Sequence, residues 1–129
     1  MPRKRSDTLR IVILIAWIAG FLIGTTTHVT DLVLGGADTY AEFPLGTRVF
    51  WMSLTVLDPI TAVLLARRRR AGIVLALVVI LVDIAVNWTV FATIGIPLFG
   101  VVNQTLFAIL LISTAPMLWR WFGHRLSSM

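Results

Sequence analysis

Cysteine is absent from the 129-residue chain, which excludes disulfide staples, thiolate nucleophiles, Cys-ligated metal and dithiol redox chemistry. Charge is scarce: there are 6 acidic residues and 2 histidines. No lysine or arginine interrupts the stretches 11–27, 49–66, 71–91 and 100–119. A carboxylate within them therefore has no cation of its own stretch to pair with. Neither an HExxH motif nor a pair of histidines at metal-binding spacing occurs, so His28, Asp31, Asp58 and Asp83 do not read as a metal centre. No metal, cofactor or catalytic residue is expected.

What is present is apolar. Hydrophobic residues make up 58% of the chain and the mean hydropathy is +0.94, which assigns it to lipid rather than water. The formal charge of +5 does not indicate nucleic acid. Apart from Arg48, every basic residue falls in a short cluster flanking an apolar run: Arg3, Lys4, Arg5 and Arg10, then Arg67 to Arg70, then Arg120 and Arg125. That distribution is the signature of membrane topology, with the basic ends on the cytoplasmic side.

Four adjacent arginines between two apolar runs demand a water-facing hairpin tip. The runs predict helices over about 9–27, 47–66, 71–91 and 100–119, each close to the length that crosses hydrocarbon. The expected fold is all-α: an integral membrane four-helix bundle with both termini inside, short hairpin connections and one longer outer loop. Residues 1–8 read as a cytoplasmic tail and 9–129 as a single transmembrane domain of the inner or plasma membrane. The basic start and apolar run resemble a signal peptide, but Gly24 to Thr27 offer no good cleavage site, so the first helix is expected to be retained. The segment His28–Thr47 is acid-rich and turn-rich, as outer loops are, with Val29–Leu34 either continuing the helix or lying along the interface. Gly20 and Gly24 form a small-xxx-small pair that lets another helix approach.

The candidate site is the polar centre of the outer half. At 1.5 Å per residue Asp58 lies about 10 Å inward of Trp51, and Asp83 lies about 8 Å inward of Trp88, so the two depths match. Asn87 shares the face of Asp83 one turn on, and Asn103 and Gln104 lie about one turn into the last helix. His28 stands at the same level at the end of the first helix, and Pro59 frees the carbonyl of Thr55 beside Asp58. Ligand-binding roles are therefore expected for Asp58, Asp83, Asn87, Asn103, Gln104, His28 and Trp51. Structural glue is the plainer alternative. Intramembrane hydrogen bonds are worth about 0.6–2 kcal/mol, however, against an insertion cost of about 2.5–3.5 kcal/mol for an aspartate, so glue alone barely breaks even.

The leading functional expectation is binding of a lipophilic or cationic small molecule. The alternatives are a proton-linked transporter or channel element, or an accessory subunit of a larger membrane complex; an enzyme using two carboxylates comes last. Expected partners are membrane lipids, a lipophilic small molecule, and further copies of the chain or a larger complex. The order Asp31, Trp51, Asp58-Pro59 resembles the emopamil-binding and sigma-2 receptor family over residues 31–59. The resemblance implies four or five membrane helices around a carboxylate pocket for sterols and cationic amphiphiles. The chain departs from that pattern: Asp58-Pro59 lies in a helix ending on arginines, and no glutamate follows at the family's spacing.

Overall fold

The computed structural model describes residues 2–127, and the side chains of residues 3–124. Arg125, counted above among the basic residues, has its side chain outside that range. The described residues are all-α and contain no strand. They form α1 (Pro2–Gly35), α2 (Leu45–Ala66), α3 (Arg70–Thr93) and α4 (Leu98–Ser127), with a short 3-10 turn at Gly36–Asp38. All four helices are long and apolar enough to cross a membrane.

Each expected helix lies within an observed one, but α1 and α4 extend well past their apolar runs, to 34 and 30 residues. The extension of α1 has local causes. The β-branched run Thr25, Thr26, Thr27 turns its hydroxyls back onto the carbonyls of Phe21, Leu22 and Ile23 at 2.8–3.0 Å, so these side chains are satisfied without ending the helix. Val29–Leu34 accordingly continues as helix, and α1 stops only where Gly36 enters the left-handed region at φ +57°. At the other end Thr8 bonds to the Lys4 carbonyl and Asp7 pairs with Arg10 at 3.2 Å, so the basic segment is helical too.

The turn at the arginines is a Schellman motif. Arg69 N donates to Leu64 O and Arg68 N to Leu65 O, both at 2.9 Å, and Arg68 takes the left-handed conformation at φ +53°. Gly95 closes α3 in a related way, with φ +95° and its N–H on Val90 O. The tightness of the first turn brings α3 against the end of α2. A Cβ on Gly72 would sit 2.9 Å from both Leu64 Cβ and the backbone nitrogen of Leu65.

In the bundle α1 packs chiefly against α2 and α3 against α4, while α2 and α3 join the two pairs. Trp17, Leu54, Leu65, Ala76, Leu111, Leu118 and Phe122 form a fully buried axis, and Trp17 Nε1 donates to Thr114 Oγ1 at 2.9 Å to tie α1 to α4. The outer faces carry Leu22, Ile23, Val63, Leu81 and Ile109, all well exposed. A bundle stable in water alone would present polar residues there. The start of α1, the last turns of α4 and the arginine turn lie at one end, where the Arg70 guanidinium stands 4.6 Å from the Trp119 ring centroid and its Nε donates to Trp119 O at 3.0 Å.

Because backbone rather than a flexible side chain opposes Gly72, Gly72→Ala should cost about 1–3 kcal/mol, as overpacking does. Gly100→Ala meets nothing within 4 Å and should leave stability unchanged or slightly raised. Comparing the two by denaturant unfolding in detergent checks the close approach; equal behaviour would contradict it.

Candidate functional site

Asp83 is the centre of a closed ring of three side chains. It is 7% exposed, and both carboxylate oxygens are used: Oδ1 accepts Asn87 Nδ2 at 3.2 Å and Oδ2 accepts Gln104 Nε2 at 2.9 Å. Asn87 Nδ2 also donates to Gln104 Oε1, closing the ring. Asn87 Oδ1 in turn accepts the indole N–H of Trp51 at 2.9 Å, which brings in α2. The i,i+4 spacing puts Asp83 and Asn87 on one helix face, and the matched depth on α4 supplies Gln104. Two carboxamides provide the donors that a cation would otherwise supply.

Asp58 is different. It is 5% exposed, yet no described residue donates a hydrogen bond to it. Its Oδ2 rests against Gly24 of α1, where a Cβ would collide with the oxygen. One turn outward, Thr55 Oγ1 is buried without a partner. Pro59, inside α2, has no N–H to give the Thr55 carbonyl. Ser53 does not fill this gap, since its hydroxyl bonds to Phe50 O at 2.6 Å. The α1–α2 side of the centre thus gathers a carboxylate, a hydroxyl and a freed carbonyl, with no donor aimed at them from the described residues.

His28 joins another group. It lies within α1 rather than at its end, and its Nδ1 is 3.1 Å from Tyr40 Oη, which donates to Asp31 Oδ2 at 2.6 Å. Burial, with the Asp31 carboxylate as hydrogen-bond partner, raises the Tyr40 hydroxyl above the ordinary phenol range and keeps it a donor. Tyr40 and Phe43 pack edge-on to Trp51 with ring centroids 5.1 and 4.8 Å away, so this outer group lids the Asp83 ring. Arg48, the isolated basic residue, holds the connecting loop by donating to the Thr39 carbonyl at 3.0 Å and to the Ala37 carbonyl. Asn103 is exposed on α4 and stands outside the ring.

The structure therefore brings together Trp51, Asp83, Asn87 and Gln104, sets Asp58 beside them, and leaves His28 one layer outward and Asn103 outside. Reading residues singly missed Tyr40 as the link between His28 and Asp31, and Gly24 as the seat of Asp58. The aromatic run in the loop and the Gly20–Gly24 spacing were the available signals. Gly20 admits the Phe107 ring of α4 and Gly24 admits a carboxylate, so the pair receives side chains from two different helices. Open clefts lie elsewhere, among them an apolar groove of about 580 Å³ between α3 and α4 lined by Ile73, Leu77, Ile112, Pro116 and Trp119. No protein-family description, curated protein or solved structure matches the chain. The likeness over residues 31–59 consequently lends the site no function.

Removing Asn87 orphans groups on three helices at once. Asn87→Leu should cost about 1–3 kcal/mol, because buried partners of a lost hydrogen bond keep their desolvation penalty. Thr105→Val removes the exposed bond from Trp88 Nε1 at 3.0 Å and the hydroxyl's own bond to Val101 O at 2.8 Å, orphans no buried carboxylate, and should cost clearly less. Chemical unfolding of both variants in the same detergent checks this order, and a reversal would mean that the ring contributes nothing to folding.

Proposed function

We propose that the chain is a four-span membrane protein, with its termini and arginine turn on the cytoplasmic side, that takes up the cationic group of a small lipophilic molecule beside Asp58. The observation that carries the reading is the contrast between the two acids. Asp83 has a donor on each oxygen, whereas Asp58, also a buried residue, has none. An ionisable group placed within an apolar span is costly and marks function more often than structure. The nearby Thr55 hydroxyl and freed carbonyl extend the same deficit, which positive charge would fill. Gly24 seats the carboxylate, since only a residue without a Cβ lets Asp58 Oδ2 lie directly against α1.

A second reading rests on the close fit of Asp58 against Gly24. An occupant as small as a proton needs no parting of the helices, so a proton-exchanging element of a transporter satisfies the same geometry. The accessory-subunit alternative gains no specific support from the buried acids, which face inward rather than toward a neighbour.

Orientation is checked with a reporter active only in the cytoplasm. It should work when fused at either terminus or inserted after Arg70, and fail after Gly35. Activity at Gly35 would overturn the topology.

For the site, purified protein in mild detergent should gain thermal stability from tetraphenylphosphonium, a lipophilic cation. The isosteric Asp58→Asn should lose the gain while its unliganded melting temperature holds or rises, because a neutral amide is easier to bury. Equal shifts in both proteins would sink the cation reading. Proton uptake by proteoliposomes that Asp58→Asn abolishes, without any phosphonium shift, would select the second reading.

A further inference from the structure

The end of the bundle that holds the termini carries a crevice that the reading of Asp58 does not use. It has a volume of about 590 Å³ and lies between the first turns of α1 and the last turns of α4, lined by Arg3, Ser6, Asp7, Arg10, Trp121 and His124. Positions 3, 6 and 10 fall on one face of α1, as Trp121 and His124 do on α4, so the lining is a product of helical spacing.

Its chemistry is that of an anion site. Among the described residues Asp7 is the only acid in the wall, and it engages one Nη of Arg10 at 3.2 Å, leaving most of that guanidinium's five donors. No described residue accepts a hydrogen bond from Arg3. The Ser6 hydroxyl adds a neutral donor, and the start of α1 adds the positive end of its dipole. Behind the crevice the Arg68 guanidinium lies 4.2 Å from the Trp121 ring centroid, which fixes the indole and brings further positive charge. Arg70 performs the corresponding task on Trp119. The arginine turn is thus a clamp on α4 as well as a water-facing tip, and the clamp gives the crevice a rigid wall.

Two planar guanidinium forks on one face of α1, with a hydroxyl between them, match an anion that offers several oxygens. We propose that this α1–α4 crevice binds a phosphate-bearing anion. The crevice adjoins Ile11 and Trp119–Phe122, where the apolar runs begin and end, and that is the level at which a phospholipid headgroup would lie. A soluble phosphate ester offers the same oxygens. The membrane reading bears only on which source supplies the phosphate; Asp58 plays no part.

Full-length protein in a neutral maltoside detergent provides the test. Dioleoylphosphatidylglycerol should raise the melting temperature by a few degrees over an equal amount of dioleoylphosphatidylcholine, and inorganic phosphate is the soluble arm. A rise with phosphatidylglycerol alone assigns the site to a lipid headgroup. A rise with phosphate as well assigns it to phosphate in either form. In both cases the double variant Arg3→Gln/Arg10→Gln should lose the response while keeping its helical circular dichroism, and Arg120→Gln, outside the crevice, should keep the response. No response to either anion would overturn the proposal. So would a response that survives the double variant, or one lost equally in Arg120→Gln, which would reduce the effect to diffuse surface charge. Phosphonium binding at Asp58 would stand or fall independently of these outcomes.

Discussion

A carboxylate buried in an apolar bundle without a cation needs donors on every oxygen, and the arrangement of three helices follows from meeting that need at Asp83. Asn87 comes from the same helix, Gln104 from α4, and Trp51 of α2 completes Asn87. Each bond is modest in energy, yet in a low-dielectric interior a half-satisfied network is worse than none. The ring therefore sets the rotation of α2, α3 and α4 about their axes at one depth. The apolar side chains that pack above and below it tolerate more latitude. Tyr40 and Phe43 then close the outer side against Trp51, and through Tyr40 the His28–Asp31 pair is drawn into the same column.

Asp58 gains meaning from this completeness. Two acids at similar depth share one apolar bundle, and the donors have gone to one of them. Pro59 removes a donor from the very turn that carries Asp58, and Thr55 leaves a buried hydroxyl there without a partner. Gly24 lets the carboxylate lie directly against α1, and no described residue donates a hydrogen bond to it there.

The opposite end shows how one run of residues serves several physical demands. Arginines 67–70 cannot enter hydrocarbon, so they define an end of the bundle. Arg68 also accepts a left-handed backbone to close the Schellman turn, and its side chain lies on Trp121; Arg70 lies on Trp119. Guanidinium stacked on indole suits the boundary between apolar and wet surroundings. These contacts, with Trp17 on Thr114, anchor the end of α4 to both halves of the bundle.

Much of this was legible in the order of the residues. Apolar runs of spanning length, interrupted only by basic or turn-rich stretches, define four helices in any arrangement, because backbone groups away from water must bond within the segment. The i,i+4 spacing of Asp83 and Asn87 and the matched depths of Asp58, Asp83 and Gln104 follow from helix geometry alone. Depth, however, is one coordinate and rotation is another. Asn103 and Gln104 are adjacent in the chain and nearly equal in depth, yet about 100° of helical turn separates an exposed residue from a member of the ring. Which of them faced inward depended on how α4 packs on α3. In the same way the chain shows two aspartates, but only the packing decided that Asp83 receives both carboxamides while Asp58 rests on a glycine. Composition and spacing determine which helices exist and how deep each polar group lies. The distribution of a few donors among competing acceptors is settled by tertiary contact, because a hydrogen bond depends on ångström distances that no linear pattern encodes.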